Sequence, residues 1–344
     1  MDFTSTPDRP AVAAVVSGSA PIVSMSYQED GSRLFVASES DNTLRVIDCL
    51  TGKPSEAVAV PLRCDRERLH FVTTTHHPNC VLFAGKGSPT QPLGQRNAIN
   101  YWSIHDNKIL RKFRGHTDTV SSISVSPADD KFLTSSKDRT IRLWNVEEAG
   151  SMAQLQLPAS ATGTPRAVFD STGLVFAVSA GIAGGKGQYV HLYDARQYGA
   201  GGFAELTVSP EGMQQAITSH IGAAGVEYSP TAAWTSLQFN ASGNQLLAGT
   251  SEGLAIVLDG FEATVQRVVA PTFKSSAGAV CCFTSDDKTV LMGNPDGSIS
   301  CFHVDTGAIV KTLTGHSGPI SAVATNPKYA QFASACSSTA LWSW

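Results

Sequence analysis

Three groups of residues carry side chains whose types and spacing could do chemistry. His116, Ser136 and Asp138 are the residue types of a nucleophilic relay, in which an imidazole takes the hydroxyl proton and a carboxylate holds the imidazole. The segment AGIAGGKG, from Ala180 to Gly187, has the glycines and lysine of a phosphate cradle. His76-His77-Pro78-Asn79-Cys80 gathers metal-ligand types. The glycine-rich segment lacks the GxxxxGK[ST] spacing. It also places Gln188 where a Mg²⁺-binding hydroxyl is needed and precedes a strand rather than a helix, so it reads as a turn. Adjacent histidines project apart in an extended chain, and no second CxxC or HxxxH pair follows, so the His76 segment reads as a surface turn. The relay can be judged only from the elements that carry it.

Those elements repeat. Lys137 to Asn145, KDRTIRLWN, resembles the third strand of a WD40 repeat, with Gly115-His116 placed before it so that 28 residues separate His116 from Trp144. In the same register stand six more copies, ending at Asp48, Ser103, Asp194, Asp259, His303 and Ser343. The intervals between successive copies are 55, 42, 49, 65, 44 and 40 residues. That fits a period of about 40–45 residues with loop insertions. Within a period, four short alternating runs are separated by turn residues; in the third copy they are VSSISV, KFLTSS, TIRLWNV and MAQLQL. No segment shows a comparably long helical period. The expectation is an all-β, seven-bladed WD40 propeller occupying 1–344 as a single domain. The sequence ends at Trp344, after the third strand of blade 7, so Ala11 to Val16 is expected to supply that blade's outer strand and close the ring.

In such a ring the relay residues face one another inside a blade. His116 is expected to bond Asp138, with a hydroxyl from Thr134 or Ser136 and the Trp144 indole completing a buried structural network. Blade 7 keeps His316 and Trp342 without the turn Asp, while blades 1, 4, 5 and 6 carry Ile47, Tyr193, Leu258 and Phe302 where Trp144 stands. Lys108, Lys112 and Arg114 read as charge protection of an outer strand.

Composition narrows the function classes. Charged residues make up 16% of the 344 and the net charge is −4, which argues against a broadly basic nucleic-acid surface; 42% hydrophobic residues argue against disorder. The apolar run Ala11 to Val16 is too short for a membrane span and has no basic region before it. Seven scattered cysteines are an odd number and point to reduced, buried thiols, so the sequon at Asn240 is expected to be idle.

Several stretches go beyond a generic repeat: Ser103 to Lys108 with Arg111 and Phe113, SPADDKFLTSSKDRTIRLW in blade 3, Gly173 to Val178 and Leu192 to Arg196 in blade 4. At the end stand Gly318-Pro319-Ile320, Asn326-Pro327-Lys328-Tyr329 and Phe332 to Cys336. Together they resemble the Swd-type WD40 subunits shared by the COMPASS histone methyltransferase and by a nuclear protein phosphatase 1 complex linked to transcription termination. The insertions at 86–96, 180–187 and 209–233 exceed that family's usual loops.

The resemblance implies a non-catalytic nuclear scaffold without cofactor or metal. Its implied partners are the catalytic subunit of a histone methyltransferase, a phosphatase-targeting scaffold and the phosphorylated C-terminal repeat of RNA polymerase II, to which it would recruit its complex. No membrane or direct nucleic-acid contact is expected. Two alternatives remain. Tyr193-Asp194-Ala195-Arg196 resembles the WDxR signature of cullin ubiquitin ligase substrate receptors, with Tyr for Trp, and some propellers are enzymes that use the central funnel. The residues opening the inner strands at that funnel are Val23, His70, Ser121, Pro165, Thr235, Ala279 and Ser321, with one titratable group among them, which favours binding over chemistry. Repeat alignment also puts Lys86 and Arg96, Lys137 and Arg139, and Lys186 in the second-to-third-strand turns of blades 2, 3 and 4. Glu39, Asp41, Glu252 and Asp296 occupy those turns in blades 1, 5 and 6. The basic sector is a candidate phosphopeptide site.

Overall fold

Alternating apolar residues in runs of about six make strands too short to stand alone, and they pair into seven four-stranded antiparallel sheets. The computed structural model describes residues 10–18, 20–38, 40–55, 58, 62–63, 68–86, 96–222, 228–262, 264–271 and 278–344, with the backbone alone at 68 and 86. The sheets are the blades of a seven-bladed β-propeller. In blade 3 the strands are Val120–Val125, Lys131–Ser136, Thr140–Asn145 and Ser151–Gln156, from the channel outward.

Blade 7 is built from both ends of the chain. Its outer strand is Ala11–Val16, antiparallel to Thr339–Ser343, with Val12 opposite Trp342 and Val16 opposite Thr339. The ring is thereby closed as the register of the repeats requires.

The core lies between blades. Phe132 and Trp144 stack at 6.2 Å in blade 3, with Phe113 of blade 2 edge-on to both. Phe332 and Trp342 stack in the same way in blade 7, at 5.7 Å. Toward the axis the inner strands of neighbouring blades come close without forming a ladder, and hydroxyls bridge them. Ser24 Oγ donates to the Val72 carbonyl at 3.2 Å and accepts from the Val72 amide at 3.1 Å, joining blades 1 and 2. Ser122 Oγ does the same at Ala167, joining blades 3 and 4, and Ser124 Oγ accepts from the Phe169 amide. Part of the chain's serine content is therefore mortar between blades.

One element stands beside the strands, in a chain where no helical period as long as the strand pattern is expected. Within 209–233 lies the α-helix Pro210–Ile221, capped by Ser209, whose hydroxyl accepts from the Gly212 amide at 3.0 Å. Met213 and Ile217, 0% and 1% exposed, pack it onto the outer strand of blade 5, Val265–Val269. No helix among the described residues is long and apolar enough to cross a membrane.

Candidate functional site

The turn between the second and third strands and the connection entering the inner strand meet on one face of each blade. In blade 3 the Lys137 amide donates to the Thr119 carbonyl at 3.0 Å across that meeting. There His116 Nδ1 donates to Asp138 Oδ2 at 3.0 Å, Nε2 accepts from the Thr134 hydroxyl at 2.7 Å, and the Trp144 indole donates to the same oxygen at 2.8 Å. Asp138 also accepts from the Thr117 and Thr140 amides and the Thr140 hydroxyl. Burial alone would raise its pKa, but the hydrogen bonds from His116, Thr140 and Thr117 outweigh that and hold the carboxyl well below the usual range. Ser136, named beside Thr134 from the sequence, is not a partner of His116. Its hydroxyl donates to the Asp118 carbonyl and accepts from the Asp138 amide, while Asp138 and Thr140 occupy the Nδ1 side of His116. No nucleophile faces solvent here: Thr134 and Ser136 are fully buried.

Blade 7 builds the same chain from other residues. Ser334 takes the place of Thr134, receiving the Trp342 indole at 2.7 Å and standing 2.6 Å from His316 Nε2, while Cys336 Sγ lies 3.2 Å from His316 Nδ1. Burial lowers the His316 pKa. Ser334 and Cys336 belong to the stretch that carries the resemblance but were not assigned to this network, although each lies at the position of a blade 3 residue, Thr134 and Ser136.

The charged turns divide into two kinds. Asp41 and Asp296 accept from the amide and hydroxyl of Thr43 and Ser298, two residues on, as Asp138 does with Thr140, so these acids close their own turns. Glu252 accepts from the Ser229 amide. Lys137 and Lys186 are exposed. Arg139 is also exposed, adopts a positive φ of 63° and donates to the Ala159 carbonyl at 3.3 Å. Arg96 is half-buried; Glu39 and the Lys86 side chain lie outside the described residues.

The other candidate groups resolve into structure. The glycine-rich segment is the hairpin turn between Val175–Ile182 and Gln188–Asp194, where a Cβ on Gly187 would stand 2.1 Å from the Val208 carbonyl. Close approach of backbone accounts for that glycine. His76 is more than a surface turn: Nδ1 meets Glu29 of blade 1 at 2.8 Å, and Nε2 meets the Ser126 and Asp129 carbonyls of blade 3 at 2.9 and 3.1 Å. Burial alone would lower its pKa, but the bond to Glu29 and the carbonyls raise it. Arg196 folds back onto Asp194 at 2.9 Å. Among the described residues no three His, Cys, Asp or Glu are grouped to hold a metal. Asn240 is 3% exposed and its amide donates to Asn244, which leaves the sequon inaccessible in the fold.

The axis holds a cavity of about 550 Å³ lined by residues such as Ser24, Phe71, Ile123, Ser236 and Cys281. Above Phe71 lies Arg166, its Cζ 5.8 Å from the ring centroid, and its Nη1 donates to the Ser121 carbonyl. The sequence tally of one titratable group among the residues opening the inner strands missed this guanidinium, which sits one residue beyond Pro165. A register shift between Thr162 and Arg166 breaks the alternation that would have assigned its side.

The family model for the WD domain, G-beta repeat matches residues 107–145 and 307–343, blades 3 and 7 with the strands leading into them. WD repeat-containing protein 82 of Drosophila melanogaster is 30% identical over 93% of this chain and 90% of its own length. The COMPASS component SWD2 of Saccharomyces cerevisiae is 24% identical over 92% and 88%, and the Set1 complex component swd2 of Schizosaccharomyces pombe is 29% identical over 70% and 57%.

Proposed function

The chain belongs to the WD40 family that contains WD repeat-containing protein 82 and the Swd2 components of COMPASS and the Set1 complex, and from that membership we propose that it is a non-catalytic scaffold subunit of a nuclear histone methyltransferase complex. The observation that carries this reading is the extent of the similarity. It runs through blades whose own repeat signature has decayed, so it follows this family and not the fold in general. The absence of a solvent-facing nucleophile, acid and base from the His116 network supports a binding role.

Affinity purification of the tagged protein from nuclear extract, followed by mass spectrometry, tests the reading. Recovery of a methyltransferase catalytic subunit is expected. Recovery of a cullin adaptor in its place would replace the scaffold reading with that of a substrate receptor. The purified protein is expected to show no methyltransferase or phosphatase turnover; turnover lost on mutating a channel residue would make it an enzyme.

Exposed Lys137, Arg139 and Lys186 on neighbouring blades favour a second association, with the phosphorylated C-terminal repeat of RNA polymerase II, and a phosphatase-targeting scaffold is the further partner proposed for the nuclear pool. Changing Lys86, Arg96, Lys137 and Lys186 to Glu should abolish any preference for phosphorylated repeat peptides. Equal affinity of wild type and variant rejects that site.

A further inference from the structure

Arg166 is a cation on the inner strand of blade 4, at the register held by Ser24, Phe71, Ser122, Ser236, Val280 and Ala322 in the other blades. It reaches across from blade 4: its Nη1 donates to the Ser121 carbonyl of blade 3, and its plane lies over Phe71 of blade 2. None of the ion pairs among the described residues includes it. Its Nε is buried without a hydrogen bond, while Nη2 has no partner among the described residues and is not among the buried unpartnered atoms. The group is half-buried, and burial pulls its pKa down to about 10 with no opposing carboxylate to restore it. A guanidinium held by a neutral carbonyl and an aromatic face, with one nitrogen left unpartnered among the described residues, lacks only an anion.

We propose that the channel mouth on the face of the second-to-third-strand turns receives the carboxylate of an Asp or Glu side chain from an extended partner segment, with Arg166 as its receptor and Phe71 as the floor beneath the guanidinium. The proposal rests on the scaffold reading for the existence of such a partner and names the chemistry of its contact. Three observations carry it. The receptor is a single guanidinium, whose one positive charge matches a monoanion better than a phosphate dianion. The Ser121 and Ser135 hydroxyls beside it are already committed to the Pro165 carbonyl at 2.5 and 2.8 Å, so they fix the mouth and leave Nη2 as the open donor. Exposed Lys137, Arg139 and Lys186 stand on turns of the same face in blades 3 and 4, where they attract an acidic segment toward the blade that carries Arg166.

The test uses the full chain labelled with ¹⁵N-arginine, following the Arg166 Nε–Hε resonance, which is assigned by its disappearance in Arg166→Lys. The probes are acetyl-alanyl-glutamyl-alanine amide, the glutaminyl analogue and the phosphoseryl analogue. The glutamyl peptide is expected to shift the resonance saturably, and the glutaminyl peptide to bind at least ~10-fold more weakly, as loss of a charge-assisted bond in a low-dielectric site requires. Equal shifts from the two overturn the proposal. Tighter binding of the phosphoseryl peptide by ~10-fold assigns the mouth to a phosphate and overturns the carboxylate occupant. Arg166→Gln should abolish the ¹H shifts of the glutamyl peptide methyls while keeping the wild-type melting temperature; retained peptide binding in that variant also overturns the proposal. Capture of the methyltransferase from extract is read separately. Peptide selectivity without capture defeats the scaffold reading alone, and capture without selectivity defeats the channel site alone.

Discussion

Asp138 concentrates more structure on one side chain than any other residue of the blade 3 network. It closes its own turn through Thr140, ties that turn to Thr117 and His116, and through the imidazole and Thr134 reaches the Trp144 indole. Asp138→Asn replaces one of two accepting oxygens with a donor that faces other donors, and should cost about 2–4 kcal/mol, read as a lower denaturant midpoint. Ser334→Ala in blade 7 leaves the Trp342 indole and His316 Nε2 unpartnered and should cost about 1–3 kcal/mol in the same measurement. Two histidines add opposite pH dependences. The pKa of His76 is raised by its blade-bridging bonds, so its contribution is fully present below the ordinary histidine value and is lost as pH rises through the raised one. That of His316 is lowered by burial, so its contribution is present above the ordinary value and is lost as pH falls through the lowered one. The melting-temperature deficit of His76→Gln should therefore shrink as pH rises above the ordinary histidine value of about 6.5, whereas that of His316→Gln should grow as pH rises toward that value from below. A deficit independent of pH in both variants removes the electrostatic account.

Elements were legible where the period was two and dim where it changed. All seven third strands stand where the Trp144 register places them, because a strand buried on both sides must write its apolar pattern into consecutive residues. The helix Pro210–Ile221 carried its own signals, Ser209 before Pro210, then Met213, Ala216 and Ile217 at helical spacing, and Gly222 after. A reading organised by a forty-residue repeat absorbed them into an insertion. Arg166 was lost for a different reason: once the inner strand of blade 4 shifts register, sequence alternation no longer says which side chains face the axis. The Ser334–His316 pair was legible only by aligning blade 7 on blade 3 residue by residue. Because Met213 and Ile217 are buried against the outer strand of blade 5, replacing both with Ala should destabilise the protein by about 4–8 kcal/mol. Ser209→Ala, which removes only the cap, should cost about 1 kcal/mol. If both variants melt with the wild type, the helix is an appendage and does not belong to the fold.

Across the whole molecule, stability depends on the ring remaining shut. We propose that residues 1–344 behave as one cooperative unit, since each blade shares its core with the next and the bridging serines of the inner strands belong to two blades at once. Deleting the first 16 residues strips blade 7 of its outer strand and should lower the melting temperature markedly; an unchanged value would sink the closure account. The same pairing sets a schedule for biosynthesis. Val16 lies opposite Thr339, so the ring's last seam joins residues 323 positions apart in the chain. At about 5–20 residues per second a ribosome needs roughly 16–65 s to emit the second after the first. Throughout that interval the first strand has no mate, and toward its end the blades already made form an open arc with an unzipped edge at each end. A strand that must stay unattached for so long is a natural client for holding chaperones, and slowing translation should lengthen that dependence without altering the finished ring.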